Sequence, residues 1–279
     1  MNSGVPSRVP VALLLVPLLA GACVSSSGSS SGPDGGACSG LFGRPNSMTG
    51  LSADQCRPAC ACGGTTWAPP DYSSAFIDSL LSDWTLEAPF PPITSDPYAS
   101  PAPPDDPPDM VCGVLPTGPA GSQPRTYRLV TYASEAAARA DGASPTHFGH
   151  CGVCSPLADL AVYMAVNDLT APVRACGLNS TTADENIACL EALGFDLPCA
   201  QSYFYDTQHT RSVCLASCAV ALNQPYNLPD GGLNDCISCD EQQSGPVFKA
   251  VAGRTRRNSG LANAICRPCD EVRPLVHAY

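Results

Sequence analysis

Three Cys-x2-Cys pairs carry most of the chemical potential of this chain: Cys151/Cys154, Cys236/Cys239 and Cys266/Cys269. The first follows His150 and precedes Ser155 and Pro156, residues that suit the start of a helix. A helix N-terminus and a neighbouring imidazolium both favour thiolate, so a vicinal pair placed there can exchange electrons with another disulfide. The second and third pairs together offer four thiols at the paired spacing of a tetrahedral zinc site, with His147 and His150 as further donors. A third chemistry resides in Lys249, Arg254, Arg256 and Arg257, whose charged groups match phosphate or sulfate oxygens. The same cluster also suits a solvated basic helix end, or a clamp onto the acidic N-terminal half.

Composition decides among these. The chain has 279 residues, 17 cysteines and a net charge of −11. Such cysteine density is a liability in a reducing cytosol and suits an exported scaffold. The acidic balance argues against nucleic acid as a partner. With Cys23 set aside, the even number that remains splits into five before Arg125 and eleven after it. Both subsets are odd, so full oxidation requires at least one disulfide between them, for which Cys112 is the expected partner. Structural disulfides are therefore the primary expectation for all three pairs. A thiol-disulfide oxidoreductase using Cys151, Cys154 and His150 is one alternative, and a structural zinc protein using Cys236, Cys239, Cys266 and Cys269 is another. The sequence contains no G-x-S-x-G, H-E-x-x-H or phosphate-loop motif. Asp230 to Asp235 lacks the spaced carboxylates of a calcium loop and reads as a tight turn.

The elements that must position these residues follow from periodicity. Ser74 to Trp84 places Ile77, Leu80, Leu81 and Trp84 at helical spacing. Eleven prolines between Glu87 and Pro119 forbid continuous helix or central strand and predict an extended spacer. Thr126–Tyr132 alternates and is rich in β-formers, predicting a strand. Ser134 caps a short helix over 135–141 that Gly142 ends. Ser155 caps a second helix with Pro156 at its first position and Leu157, Leu160, Ala161 and Met164 on one face. Thr182-Ala183-Asp184-Glu185 reads as a capping box for a third, which Gly194 stops. Two further helices are predicted at 200–205 and 211–222, the latter presenting Cys214 and Cys218 on one side.

The N-terminus supplies a location. Arg8 precedes the apolar run Val11 to Leu19, too short for a permanent span, and Ala20-Gly21-Ala22 leads into Cys23. This arrangement resembles the bacterial lipoprotein signal with its lipobox, which implies acylation of Cys23, a palmitate-bearing anchor and a place in the cell envelope, at the outer membrane. Ser25 to Gly36 has nothing apolar to bury and suits a flexible tether. Separately, His150-Cys151-Gly152-Val153-Cys154-Ser155 resembles the redox segment of the thioredoxin superfamily, which implies Cys151 as the attacking thiol and Cys154 as the resolving one. The stretch from Tyr127 to Val276 resembles an uncharacterised cysteine-rich exported family through His150-Cys151-Gly152 and Gly253-Arg254-Thr255-Arg256-Arg257. That resemblance implies a single domain and no activity.

The resulting expectation is a mainly α fold (α+β with a minor strand component), rich in disulfides. Residues 1–22 form the signal peptide, 23–37 the Ser/Gly tether, 38–70 a small cysteine-rich segment, 71–109 the Pro-rich linker and 110–279 the mainly helical domain. The expected function is a binding or scaffolding domain displayed at the envelope. Its partners would be the membrane, through lipid on Cys23, and an envelope protein or polyanion. No cofactor is expected, with zinc as the alternative.

Overall fold

A computed structural model describes Met1, residues 38–119 and residues 121–279. Cys23 and the tether at 23–37 lie outside the described residues. The described chain opens with five short strands: β1 (Cys38–Ser39), β2 (Leu41–Phe42), β3 (Cys56–Arg57), β4 (Cys60–Cys62) and β5 (Thr65–Trp67). Then come α1 (Ser74–Ser82), β6 (Trp84–Leu86), β7 (Val111–Pro116), β8 (Arg125–Tyr132), α2 (Glu135–Ala140) and β9 (Ser144–Phe148). The C-terminal part holds α3 (Leu157–Ala165), α4 (Thr170–Asn179), α5 (Ala183–Ala192), α6 (Leu197–Ala221), α7 (Asp235–Gln243), α8 (Gly245–Ala252) and β10 (Arg267–Pro268).

Strand content exceeds the sequence-based expectation, so the fold is α+β. A four-stranded sheet runs β6-β8-β7-β9, with β6 parallel to β8 and the other pairs antiparallel. Only β8 was predicted. β7 is buried over Val111 to Val114 and therefore shows no alternation to read.

Local chemistry explains most helix boundaries. Ser134 accepts the Ala137 amide as N-cap of α2, and Gly142 follows at φ +80°. Thr182 and Glu185 form the reciprocal capping box of α5, and Gly194 stops it at φ +107°. α3 needs a correction, because Pro156 and not Ser155 occupies the N-cap position. α6 needs another. The two helices predicted there are one of 25 residues, since Asp206 to Thr210 contains neither glycine nor proline to interrupt it.

The main core packs α1, α3 and α6 against β8 through Leu80, Tyr127, Leu157, Leu160 and Phe195. Each fully buried leucine removes enough apolar area to contribute about 2–3 kcal/mol. Eight disulfides staple this frame: Cys38–Cys62, Cys56–Cys266, Cys60–Cys269, Cys112–Cys151, Cys154–Cys199, Cys176–Cys189, Cys214–Cys239 and Cys218–Cys236. Cys112 does cross to the C-terminal set, and so do Cys56 and Cys60. β2 also pairs with β10, so residues 38–70 meet the end of the chain both covalently and by hydrogen bonds.

The proline-rich segment is extended apart from a 3-10 turn at Pro97–Ala99. It lies against the helices: the Ile93 amide donates to Gln201 on α6, and the Tyr98 hydroxyl reaches Asp206. No helix of the described residues is long and apolar enough to cross a membrane.

Candidate functional site

The Cys-x2-Cys pairs are frame, not site. Cys151 bonds to Cys112 on β7 and Cys154 to Cys199 on α6, so the first pair has no bond of its own to open and close. Cys154 is fully buried, beyond the reach of a partner thiol. The four proposed zinc thiols do not converge either. Cys236 and Cys239 face α6, where Cys218 and Cys214 hold them, while Cys266 and Cys269 hold Cys56 and Cys60. The i,i+3 spacing on α7 and the i,i+4 spacing on α6 each put two cysteines on one helix face, which is what a double staple between neighbouring helices requires. Sulfur already in a disulfide offers no thiolate to a metal.

The histidines are likewise committed. His147 is fully buried, with Nε2 2.6 Å from Ser155 Oγ, and burial followed by the Arg254 charge drives its pKa well down. This use of Ser155 explains why it does not cap α3; its hydroxyl also accepts the Gly152 amide. Burial and Arg254 also lower His277, to about 3.

The basic segment is engaged within the protein, and its Lys249 contact is to the acidic N-terminal half. Arg254 is 0% exposed. Its guanidinium donates to the carbonyls of Cys154 (2.9 Å), Thr146 (2.8 Å) and Ser155 (2.9 Å) and to the Thr146 hydroxyl (2.7 Å). It thereby ties β9 to the turn before α3. Arg256 donates to the Val166 and Ala262 carbonyls, and its guanidinium lies 5.5 Å from the Tyr163 ring centroid. Arg257 pairs with Glu241 and Glu271, Glu241 also takes Arg267, and Lys249 pairs with Asp105 at 2.9 Å. All four residues thus have internal partners.

What sequence reasoning missed is a partly open cavity of about 1190 Å³. α4, α6, α7 and α8 supply its walls together with the segment after α8, and Pro103 to Pro108 crosses part of it. Val173, Leu169, Ile237, Phe248 and Leu261 make it largely apolar. The Tyr163 and Tyr203 hydroxyls, 2.6 Å apart, line it beside Arg256.

Two carboxyls face the same space, Asp206 on α6 and Asp240 on α7. Tyr98 donates to Asp206 Oδ1 at 2.8 Å, and Thr210 donates to Asp240. Among the described residues neither carboxyl has a cation within ion-pair distance. Burial, Asp240 and Glu241 raise the pKa of Asp206 well above the usual range, against the Tyr98 hydrogen bond. Burial likewise raises Asp240, against the Thr210 hydrogen bond. Both keep a water-accessible face toward the cavity. Behind this wall Ser244 Oγ lies 2.6 Å from Thr210 Oγ1 and 3.0 Å from His209 Nδ1. The arrangement can hold an apolar body while presenting acceptors, or protonated acids, at one side.

Most of these walls lie in one stretch of the chain. Residues 183–274 match the model of a family of unknown function, DUF8771. No curated protein and no solved structure matches the chain. The DUF8771 stretch carries both α6–α7 staples, Asp206, Asp240 and the arginine segment, but it does not close its own framework. Cys189, Cys199, Cys266 and Cys269 all bond to cysteines ahead of it.

Proposed function

We propose that this chain is an exported binding protein whose α4–α6–α7–α8 cavity takes an apolar molecule with a hydrogen-bond-donating end. The observation that carries this reading is the contrast within the cavity: an apolar wall large enough for a small molecule, and a partly buried Asp206–Asp240 wall with no cation of the described residues within ion-pair distance. Eight disulfides fit an oxidising compartment and a pre-formed site. The lipobox-like segment supports a lipid anchor at Cys23, with residues 23–37 as a tether holding the domain off the outer membrane.

Native mass spectrometry of the protein purified from its own envelope tests the binding reading. A bound small molecule is expected, and Val173→Trp, which fills the apolar wall, should displace it. A ligand-free spectrum, together with no binding from an apolar library to either form, overturns it. Labelling with a palmitate analogue tests the anchor separately: incorporation should vanish in Cys23→Ala.

A further inference from the structure

Residues 101–108, which include five prolines, run past the cavity, and 103–108 form its least secured wall. Among the described residues, none from 100 to 106 makes a backbone–backbone hydrogen bond. The segment is fixed at its ends, at Tyr98 on Asp206 and at Met110, whose carbonyl accepts the Gly149 amide at 2.7 Å. Two charged contacts hold the middle. Lys249–Asp105 is exposed, with 86% of the Asp105 side chain in solvent, and such pairs contribute little.

The other contact is more enclosed. Asp106 Oδ2 accepts from the His150 amide at 3.1 Å and from Nδ1 at 2.7 Å. Gly149, at φ +91°, leaves room for that carboxylate; a Cβ there would sit 2.8 Å from Oδ2. On the far side of the ring, Nε2 lies 2.7 Å from the carbonyl of Ala250, in the last turn of α8. A carboxylate and a carbonyl only accept. Both contacts are made together only by the doubly protonated ring, and the C-terminal end of α8 favours a cation there.

Removing one proton turns one of these two contacts into lone pair against lone pair. His150 itself cannot follow the segment, because Cys151 is bonded to Cys112 and Gly149 to Met110. The carboxylate is the stronger acceptor, so the neutral ring keeps Nδ1–H on Asp106 and frees Nε2, and what the hold over Asp106 loses is the charge of the ring. The charged and titratable groups around the ring are Asp106 and Asp105 from the segment, Lys249 from α8 and His147 from β9. Of these, Lys249 is paired to Asp105 and His147 is neutral by burial.

We propose that residues 101–108 are a proton-operated cover over the cavity, latched by the His150 imidazolium on Asp106 and released as pH rises. The purpose of the cover rests on the binding reading of the cavity, but the latch can be tested without it. Histidine changes charge between about pH 5 and about pH 8, so those are the conditions to compare.

Alanine-methyl NMR relaxation on the intact chain reads the order of Ala102, at the N-terminal end of the cover, and ring spectra read the protonation of His150. In the wild type Ala102 should be ordered at the lower pH and mobile at the higher, with the midpoint of the His150 ring titration. His150→Gln and Asp106→Asn should leave it mobile at both. Equal order at both pH values in the wild type, a pH response that survives in both variants, or a singly protonated His150 at the lower pH overturns the latch. A neutral naphthalene dye added to the same samples separates the two readings. Its uptake should quicken about tenfold with rising pH, by analogy with a gated site. A dye that enters at neither pH counts against the cavity while Ala102 still decides the latch.

Discussion

The Arg254 site and the Asp206–Asp240 wall both bury charge, and they treat it in opposite ways. Arg254 is surrounded by carbonyl and hydroxyl oxygens that use its donors on three sides, and the two histidines near it are driven neutral. Asp206 and Asp240 have one hydroxyl donor each, no cation within ion-pair distance among the described residues, and an open cavity in front of them. A saturated buried charge does structural work, because nothing further can bind to it. An undersatisfied one facing space retains capacity for an outside group.

Replacing Arg254 should give the largest effect. Arg254→Met leaves at least three carbonyls unpaired in the core and should cost about 4 kcal/mol or more in urea unfolding, and Arg254→Lys should recover little of it. A cost under about 1 kcal/mol would erase the contrast between the two sites. Removing a long-range staple comes next. Replacing Cys56, Cys60, Cys266 and Cys269 together by alanine opens a closure across 210 positions that either bridge alone would keep shut, and should cost about 4 kcal/mol, against about 3 kcal/mol for Cys176→Ala/Cys189→Ala, which spans 13.

Acidification should act on the Arg254 side. His277 is held at about 3 when folded, so the stability it contributes is complete above its unfolded value and is lost as pH falls through the window below it. Between pH ~6.5 and ~4.5 this amounts to about 2 kcal/mol, read as a falling urea midpoint, and His147 adds in the same direction. Asp159 works against it. Its Oδ2 has no partner, and burial, then Asp196, raise its pKa, so its cost is present at neutral pH and is relieved as pH falls. Asp159→Asn should therefore stabilise the protein at neutral pH by about 1 kcal/mol and steepen the acid loss.

The smallest stability effect belongs to the cavity. Asp206→Asn should change unfolding by less than about 1 kcal/mol, in either direction, since its carboxyl already disfavours ionisation. The same variant should weaken ligand retention in native mass spectrometry. A loss as large as that of Arg254→Met would make Asp206 structural as well.

Legibility in the sequence divides along the same line. Local hydrogen-bond chemistry was readable at the Ser134 cap, the Thr182/Glu185 box and the alternation of β8. β9 was not, because Ser144-Pro145-Thr146 lacks strand character and forms only against β7. α4 carries Pro172 in its first turn and a weakly amphipathic sequence, so its helix depends on packing with α5 and α6. Cysteine parity required a crossing disulfide but could not name the partners, since pairing depends on distances set by the fold. Arg254 and Arg257 look alike in sequence. Only tertiary packing makes one a buried tie and the other half of a surface ion-pair network, and the cavity arises from four helices that no local pattern brings together.

Cys56 and Cys60 wait for Cys266 and Cys269, the last cysteines of the chain. For a polypeptide threaded N-terminus first into an oxidising compartment, these two thiols stay without their mates until 210 and 209 further positions have followed. An oxidant that joins cysteines in order of arrival would couple Cys38 with Cys56 and Cys60 with Cys62, and neither bond exists in the finished protein. Maturation thus calls for a catalyst that shuffles bonds, not one that merely makes them. A host lacking such an isomerase should accumulate this protein in scrambled, protease-sensitive form.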